Sequence, residues 1–185
     1  KQFTIIDFVN GKIAKKINFQ HCYKLGRTLA TLHVKSLKFK KKRKNDFSLN
    51  EWDKLIKKKI KLSKNESFFL KKEIKYIKKN WPKKLPSGII HGDLFPDNVF
   101  FKNNNIVGII DLSNACNDFL CYDLSICINS WCYENKLNIG KMKNLIKGYN
   151  SIRKIKNEEI SYLNLFLRAS SLRFYLSRLM DLQNK

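Results

Sequence analysis

Apolar residues recur along this chain in two rhythms, one of helices and one of short strands. Residues 3 to 9 read as a strand. Over residues 19 to 36, Leu25, Leu29 and Leu32 fall at helical spacing and predict a stripe facing a core. Residues 38 to 45 form a charged loop. Ser48-Leu49-Asn50-Glu51 and Ser63-Lys64-Asn65-Glu66 both match the capping box, in which Ser and Glu satisfy each other's backbone donors. Each is followed by helix-compatible sequence, and the second helix should stop before Pro82. Gly88-Ile89-Ile90 is strand-like. Val99-Phe100-Phe101 and Ile106 to Ile110 are two more apolar runs, joined by the polar Lys102-Asn103-Asn104-Asn105, which reads as a hairpin turn. Leu120, Leu124, Cys127, Ile128 and Trp131 make a helical stripe with few charges, so that helix should be central and buried, with Trp131 as core. A short helix follows over residues 140 to 150. The last helix starts at an Asn157 cap and runs to about Met180, with Leu163, Phe166, Leu167 and Leu172 inward. There is no internal repeat and no sign of a second domain. The expected fold class is α+β, mostly helical, with one small β-hairpin.

Composition narrows the classes. The chain has 185 residues, 43% of them hydrophobic, enough for one domain with a core. No apolar run reaches membrane-spanning length, and the first residues look like strand rather than signal peptide. A cytoplasmic protein with no membrane partner is expected. The formal net charge is +23, with Lys-rich runs at residues 35 to 44 and 54 to 64. Such runs can bind nucleic acid through its phosphates. Only six of the 38 basic residues are Arg, the side chain that suits phosphate forks and base edges. Lys57-Lys58-Lys59 on a helix is an ordinary solvated face. Nucleic acid is therefore not the expected partner, though a basic surface can gather small anions by long-range steering. Five cysteines without C-x-x-C spacing and in odd number predict reduced, packed thiols. His21 and His33, on one helix, read as structural, and no histidine pair reads as a metal site.

The chemistry lies at the ends of the short strands. Gly88-Ile89-Ile90 runs into His91-Gly92-Asp93, and Asp93 begins a loop. Asn98 opens the first hairpin strand and Asp111 closes the second. Antiparallel pairing sets the start of one strand beside the end of the next, so Asn98 and Asp111 should be neighbours. An amide oxygen and a carboxylate on one side suit Mg²⁺, which fills its shell with water and phosphate. A separate carboxylate, Asp93, can orient a hydroxyl. That division of labour is the one phosphoryl transfer needs. An H-x-D pair alone is weak, because Asp after a strand is usually a turn former. The three residues at these intervals carry the argument.

His91-Gly92-Asp93-Leu94-Phe95-Pro96-Asp97-Asn98 followed by Ile110-Asp111 resembles the catalytic and metal loops of the aminoglycoside phosphotransferase and choline kinase superfamily. Residues 91 to 101 and 115 to 134 look like the kinase-like family of bacterial homoserine kinases. Supporting likeness lies in Leu25-Gly26-Arg27-Thr28-Leu29-Ala30-Thr31-Leu32-His33, Asn80-Trp81-Pro82, Leu85-Pro86, Gly148-Tyr149 and Leu172-Arg173-Phe174. The resemblance implies a protein-kinase-like C-terminal lobe using ATP and Mg²⁺ to phosphorylate L-homoserine, in threonine biosynthesis. It implies Asp93 as catalytic base, Asn98 and Asp111 as metal ligands, and His91 as an organiser of the loop. Asp123 is implied as a structural carboxylate bracing that loop; the alternative is an ordinary acid at a helix N-terminus. Arg173 is a candidate for the substrate carboxylate, because Arg suits bidentate recognition; the alternative is a surface or salt-bridge role.

Family members carry a small N-terminal lobe with a phosphate-covering loop and an ATP-binding lysine. Neither stands in these 185 residues, and Lys1 is not that lysine. Residues 1 to 11 resemble the hinge strand that follows the small lobe, with Phe8, Val9 and Asn10 touching adenine through their backbone. Family members also continue past the position of Lys185, so the chain reads as a large-lobe fragment: hinge strand at 1–11, catalytic and metal loops at 88–111, helical subdomain at 112–185. Two other functions remain open at this level. One is a kinase of another small-molecule hydroxyl, such as choline or an aminoglycoside. The other is a non-catalytic kinase-like module that binds a partner or nucleic acid through its basic surface.

Overall fold

The computed structural model describes residues 8–52 and 62–183. Residues 3 to 7 of the expected first strand and the Lys57-Lys58-Lys59 run lie outside them. In chain order the elements are β1 (Lys12–Ile13), α1 (Phe19–Ser36), α2 (Lys64–Asn80), β2 (Ser87–Ile90), β3 (Val99–Lys102), β4 (Asn105–Ile109), β5 (Cys116–Phe119), α3 (Leu120–Trp131), α4 (Ile139–Asn150) and α5 (Asn157–Gln183). Two single 3₁₀ turns, Pro96–Asn98 and Leu112–Asn114, sit beside the hairpin.

The strands form two small antiparallel sheets, β1-β3-β4 and β2-β5. Residues 8 and 9 are not in a strand, contrary to expectation. The Gly11 N–H turns back onto the Val9 carbonyl at 2.9 Å, and pairing begins only at Lys12, opposite Phe101. The β3–β4 hairpin closes through Asn103 and Asn104, both with positive φ (49° and 59°). Two left-handed residues match the strand twist, and Asn tolerates that conformation, so the polar turn pins the register Lys102↔Asn105.

Helix boundaries follow local chemistry. Ser63 and Glu66 make the expected capping box at α2, which ends at Asn80, just short of Pro82. At Ser48 the outcome differs: its hydroxyl finds no hydrogen-bond partner, and its carbonyl accepts from Glu51 N at 2.9 Å. Asn18 caps α1 by accepting from His21 N, with the His21 ring reaching back, a box the sequence reading missed. Asn157 is the first residue of α5 rather than its cap; Glu159 reaches back to Lys156 N instead (3.1 Å).

α3 is the centre. Leu120, Cys121, Tyr122 and Ile126 pack toward α2, α5 and the β2–β5 pair. Leu124, Cys127, Ile128 and Trp131 pack toward α1, α4 and the hairpin. A helix with apolar neighbours on both sides cannot afford a charged face, which is why this stretch carries one acid only, Asp123. α1 and α4 approach at backbone distance: a Cβ on Gly26 would lie 2.0 Å from the Leu145 carbonyl oxygen, and one on Gly148 2.0 Å from that of Tyr23. All five cysteines are buried and free. No helix among the described residues is long and apolar enough to cross a membrane.

Candidate active site

Three segments meet at the ends of β2 and the hairpin. β2 delivers His91-Gly92-Asp93. Gly92 has φ +75°, and a Cβ there would sit 2.9 Å from the Asn114 carbonyl oxygen, so both conformation and space demand glycine. The Asp93 carbonyl accepts from Phe95 N (2.8 Å) and from Asn98 Nδ2 (2.8 Å). The Asn98 amide is thereby oriented: its NH₂ donates to Asp93, and its Oδ1 accepts no hydrogen bond from the described residues. Ile110 N donates to the Asn98 carbonyl at 3.0 Å, which sets Asp111 next to Asn98.

Asp111 is exposed and left-handed (φ 59°, ψ 67°). Its Oδ1 accepts from Ser113 N and Oγ, and these bonds hold its pKa below the usual carboxylate value. Asp93 is half-buried and shifted the other way. Burial raises its pKa, against the opposing pull of Arg173, of the Asn114 amide (Nδ2 to Oδ2, 3.2 Å) and of His91.

His91 is fully buried and joins the two loops. Its Nδ1 accepts from Asp93 N (3.3 Å), so the proton sits on Nε2, which donates to the Ile110 carbonyl (3.1 Å). Asp123 lies beneath, completely enclosed. Its Oδ2 accepts from His91 N (2.8 Å) and its Oδ1 from Gly92 N (3.0 Å). His33 Nε2 donates to Oδ2 at 3.1 Å, while His33 Nδ1 meets the Tyr149 hydroxyl at 2.7 Å. Burial would raise the Asp123 pKa; the His33 bond and charge and the two backbone amides outweigh it and hold the carboxyl below its ordinary value. The polar chain continues through Arg153, which reaches both Tyr149 and the buried Glu159. Trp131 Nε1 pins the loop from another side, donating to Leu94 O at 2.8 Å.

Arg173 is 5% exposed. One guanidinium nitrogen donates to the Gly92 carbonyl, and the group lies between the Phe47 and Phe174 rings, 4.5 and 4.2 Å from their centroids. Its Nε has no partner. The structure thus brings Asp93, Asn98, Asp111, His91, Asp123 and Arg173 into one cluster. Phe8, Val9 and Asn10 lie apart from it, along the hairpin: Phe8 is exposed and Val9 packs on Gly108. Asn114 went unread in the sequence, and His33, taken there as structural, and Tyr149 were named without the partners the structure gives them. Only their polarity beside an acid loop or in an apolar stripe marked them.

The donors present suit a hard cation. Asn98 Oδ1 and Asp111 Oδ2 could both serve as oxygen ligands on adjoining backbone, next to a carboxylate that could receive a hydroxyl proton. This is the equipment of a phosphotransferase, and the chain belongs to that class: residues 1–151 match the model of the phosphotransferase enzyme family, to which aminoglycoside phosphotransferases belong. It is 44% identical over 184 residues to the homoserine kinases of Rhizobium meliloti (strain 1021) and Rhizobium etli (strain ATCC 51251), covering 96% of this chain. The match covers 56% and 57% of those proteins, so the chain spans just over half the length of these curated relatives. The fold is that of an amicoumacin kinase solved with AMP-PNP and Ca²⁺, at TM-score 0.78 and 15% identity. That likeness covers 95% of this chain and 56% of the other.

Proposed function

We propose that this chain forms the catalytic part of an ATP-dependent kinase that phosphorylates the hydroxyl of L-homoserine to O-phospho-L-homoserine. The observation that carries the reading is the junction at Asn98. One residue donates its NH₂ to the Asp93 carbonyl and accepts from Ile110 N at its own carbonyl, which ties the proposed proton acceptor to the proposed metal strand. The relatives' shared name supports the acceptor.

Asp93 orients the acceptor hydroxyl and takes its proton. Its raised pKa makes it a better base than a surface carboxylate, and the Asn114 amide fixes which oxygen faces the hydroxyl. Asn98 Oδ1 and Asp111 would hold Mg²⁺, which neutralises phosphate charge when bound. Asp123 and His91 hold the loop backbone. The Phe8, Val9 and Asn10 backbone would be what meets the adenine.

The test is Asp93→Asn in the full-length protein. Homoserine-dependent ADP release should fall by roughly 10²–10⁴, the usual contribution of a general base. The circular dichroism spectrum should stay the same. A variant that turns over at near wild-type rate sinks the assignment.

A further inference from the structure

Asp118 is left unused by the chemistry above. It lies on β5 opposite Gly88. Its Oδ2 accepts from Asn45 Nδ2 (2.6 Å) and its Oδ1 from Phe119 N (2.7 Å). Burial pushes its pKa up, and these hydrogen bonds offset that only in part. Of the other acids shielded from solvent, Glu159 has Arg153, Glu73 has Arg168 and Asp123 meets the His33 ring, while Asp93, the proposed base, stands without an ion pair among the described residues. Among the described residues no cation stands within ion-pair distance of Asp118 either, and Arg173 acts on it only from farther off. In a chain with 38 basic residues against 15 acidic ones, a shielded carboxylate without a cation calls for an explanation, and at Asp93 the explanation offered is chemistry.

Asp118 faces a cavity of about 640 Å³, walled by Trp52, Trp81 and Phe119 and bordered by Tyr122 and Ser48. Tyr122 is 2% exposed, and neither its hydroxyl nor that of Ser48 has a hydrogen-bond partner. Unmade bonds at buried hydroxyls are costly unless something supplies them. The exposed Lys42, Arg43 and Lys44 complete the lining. Arg43 also places the cavity. Its guanidinium donates to the carbonyls of Ser113 and Ala115, which flank Asn114, the residue touching Asp93.

We propose that this cavity is the acceptor pocket and takes a hydroxylated amino acid as its zwitterion. Asp118 receives the ammonium between aromatic walls, the Tyr122 and Ser48 hydroxyls supply further bonds, and the basic rim attracts the carboxylate. The inference rests on the kinase reading above and adds the groups that choose the acceptor.

The experiment compares L-homoserine with 4-hydroxybutyrate, which lacks only the amino group, in the full-length wild type and in Asp118→Asn. Wild type should prefer homoserine in kcat/KM. Asp118→Asn should raise KM for homoserine roughly 10–100-fold, the worth of one charged hydrogen bond, with kcat much less affected. It should also lose most of the preference over the deaminated analogue. A purely structural role would weaken both acceptors alike. Should Asp118→Asn fail to fold, Tyr122→Phe keeps the ring and removes the bond. It should raise KM by roughly 2–10-fold. Wild-type KM and wild-type preference in a folded variant overturn the pocket alone. A wild type that turns over no homoserine overturns the kinase reading, and the pocket with it.

Discussion

At the scale of single residues, Asp123 governs most. Fully enclosed, it holds two backbone N–H groups and an imidazole. Replacing it by Ala strands all three donors, and should cost about 3–5 kcal/mol in a urea titration, as expected when one partner of a buried pair is removed. The pH dependence has a sign. A carboxyl whose folded pKa is depressed stabilises fully above its unfolded value of about 3.9. That contribution is lost as pH falls through the folded value. Wild type and Asp123→Asn should therefore converge in stability under acid, and a gap that stays constant to low pH counts against the pairing. The spacing of Asp93, Asn98 and Asp111 was legible because all three lie within nineteen residues and on strands whose pairing rule is known. His33 was legible as structural but its partner was not, since the carboxylate it serves is 90 positions away. Arg173 left two roles open in the sequence, because a guanidinium's surroundings depend on where Phe47 comes to lie.

At the scale of elements, the helices were read well where periodicity was strong. α1 begins and ends at the expected residues, and α3 is buried as its lack of charge implied. Misses came at ends, where one hydrogen bond decides: the Gly11 turn before β1, the Ser48 box and the start of α5. The two glycines between α1 and α4 looked unremarkable in sequence, because their requirement is set by a helix more than a hundred residues away. Gly26→Ala should destabilise by about 3 kcal/mol, the upper end of overpacking costs, since the obstacle is a backbone carbonyl that cannot swing aside. Gly140→Ala meets the exposed Phe19 ring and, at an ordinary 3.4 Å, the Asn138 side chain, with no backbone in the way, and is the tolerated control. Similar losses in both would remove the backbone contact as the cause.

At the scale of the whole molecule, the described lysines are mostly exposed, while the groups proposed to work are acids and amides, with Asp123 enclosed, Asp93 half-buried and Asp111 exposed. The site is assembled from parts far apart in the chain: α1 gives His33, β2 the loop, α3 Asp123 and α4 Tyr149. This connectivity has a kinetic consequence. The loop cannot reach its working shape until α1, α3 and α4 have docked, because its two amides are held by a side chain 31 and 32 positions on, itself tied to a histidine 90 positions back. Local helices form early and distant contacts late. On dilution from denaturant, far-ultraviolet ellipticity should return before Mg-ATP-dependent activity in the full-length protein. Simultaneous recovery would mean that the loop is shaped by its own turns. A chaperone that acts on this protein would then meet a state with most of its helices and none of its catalysis.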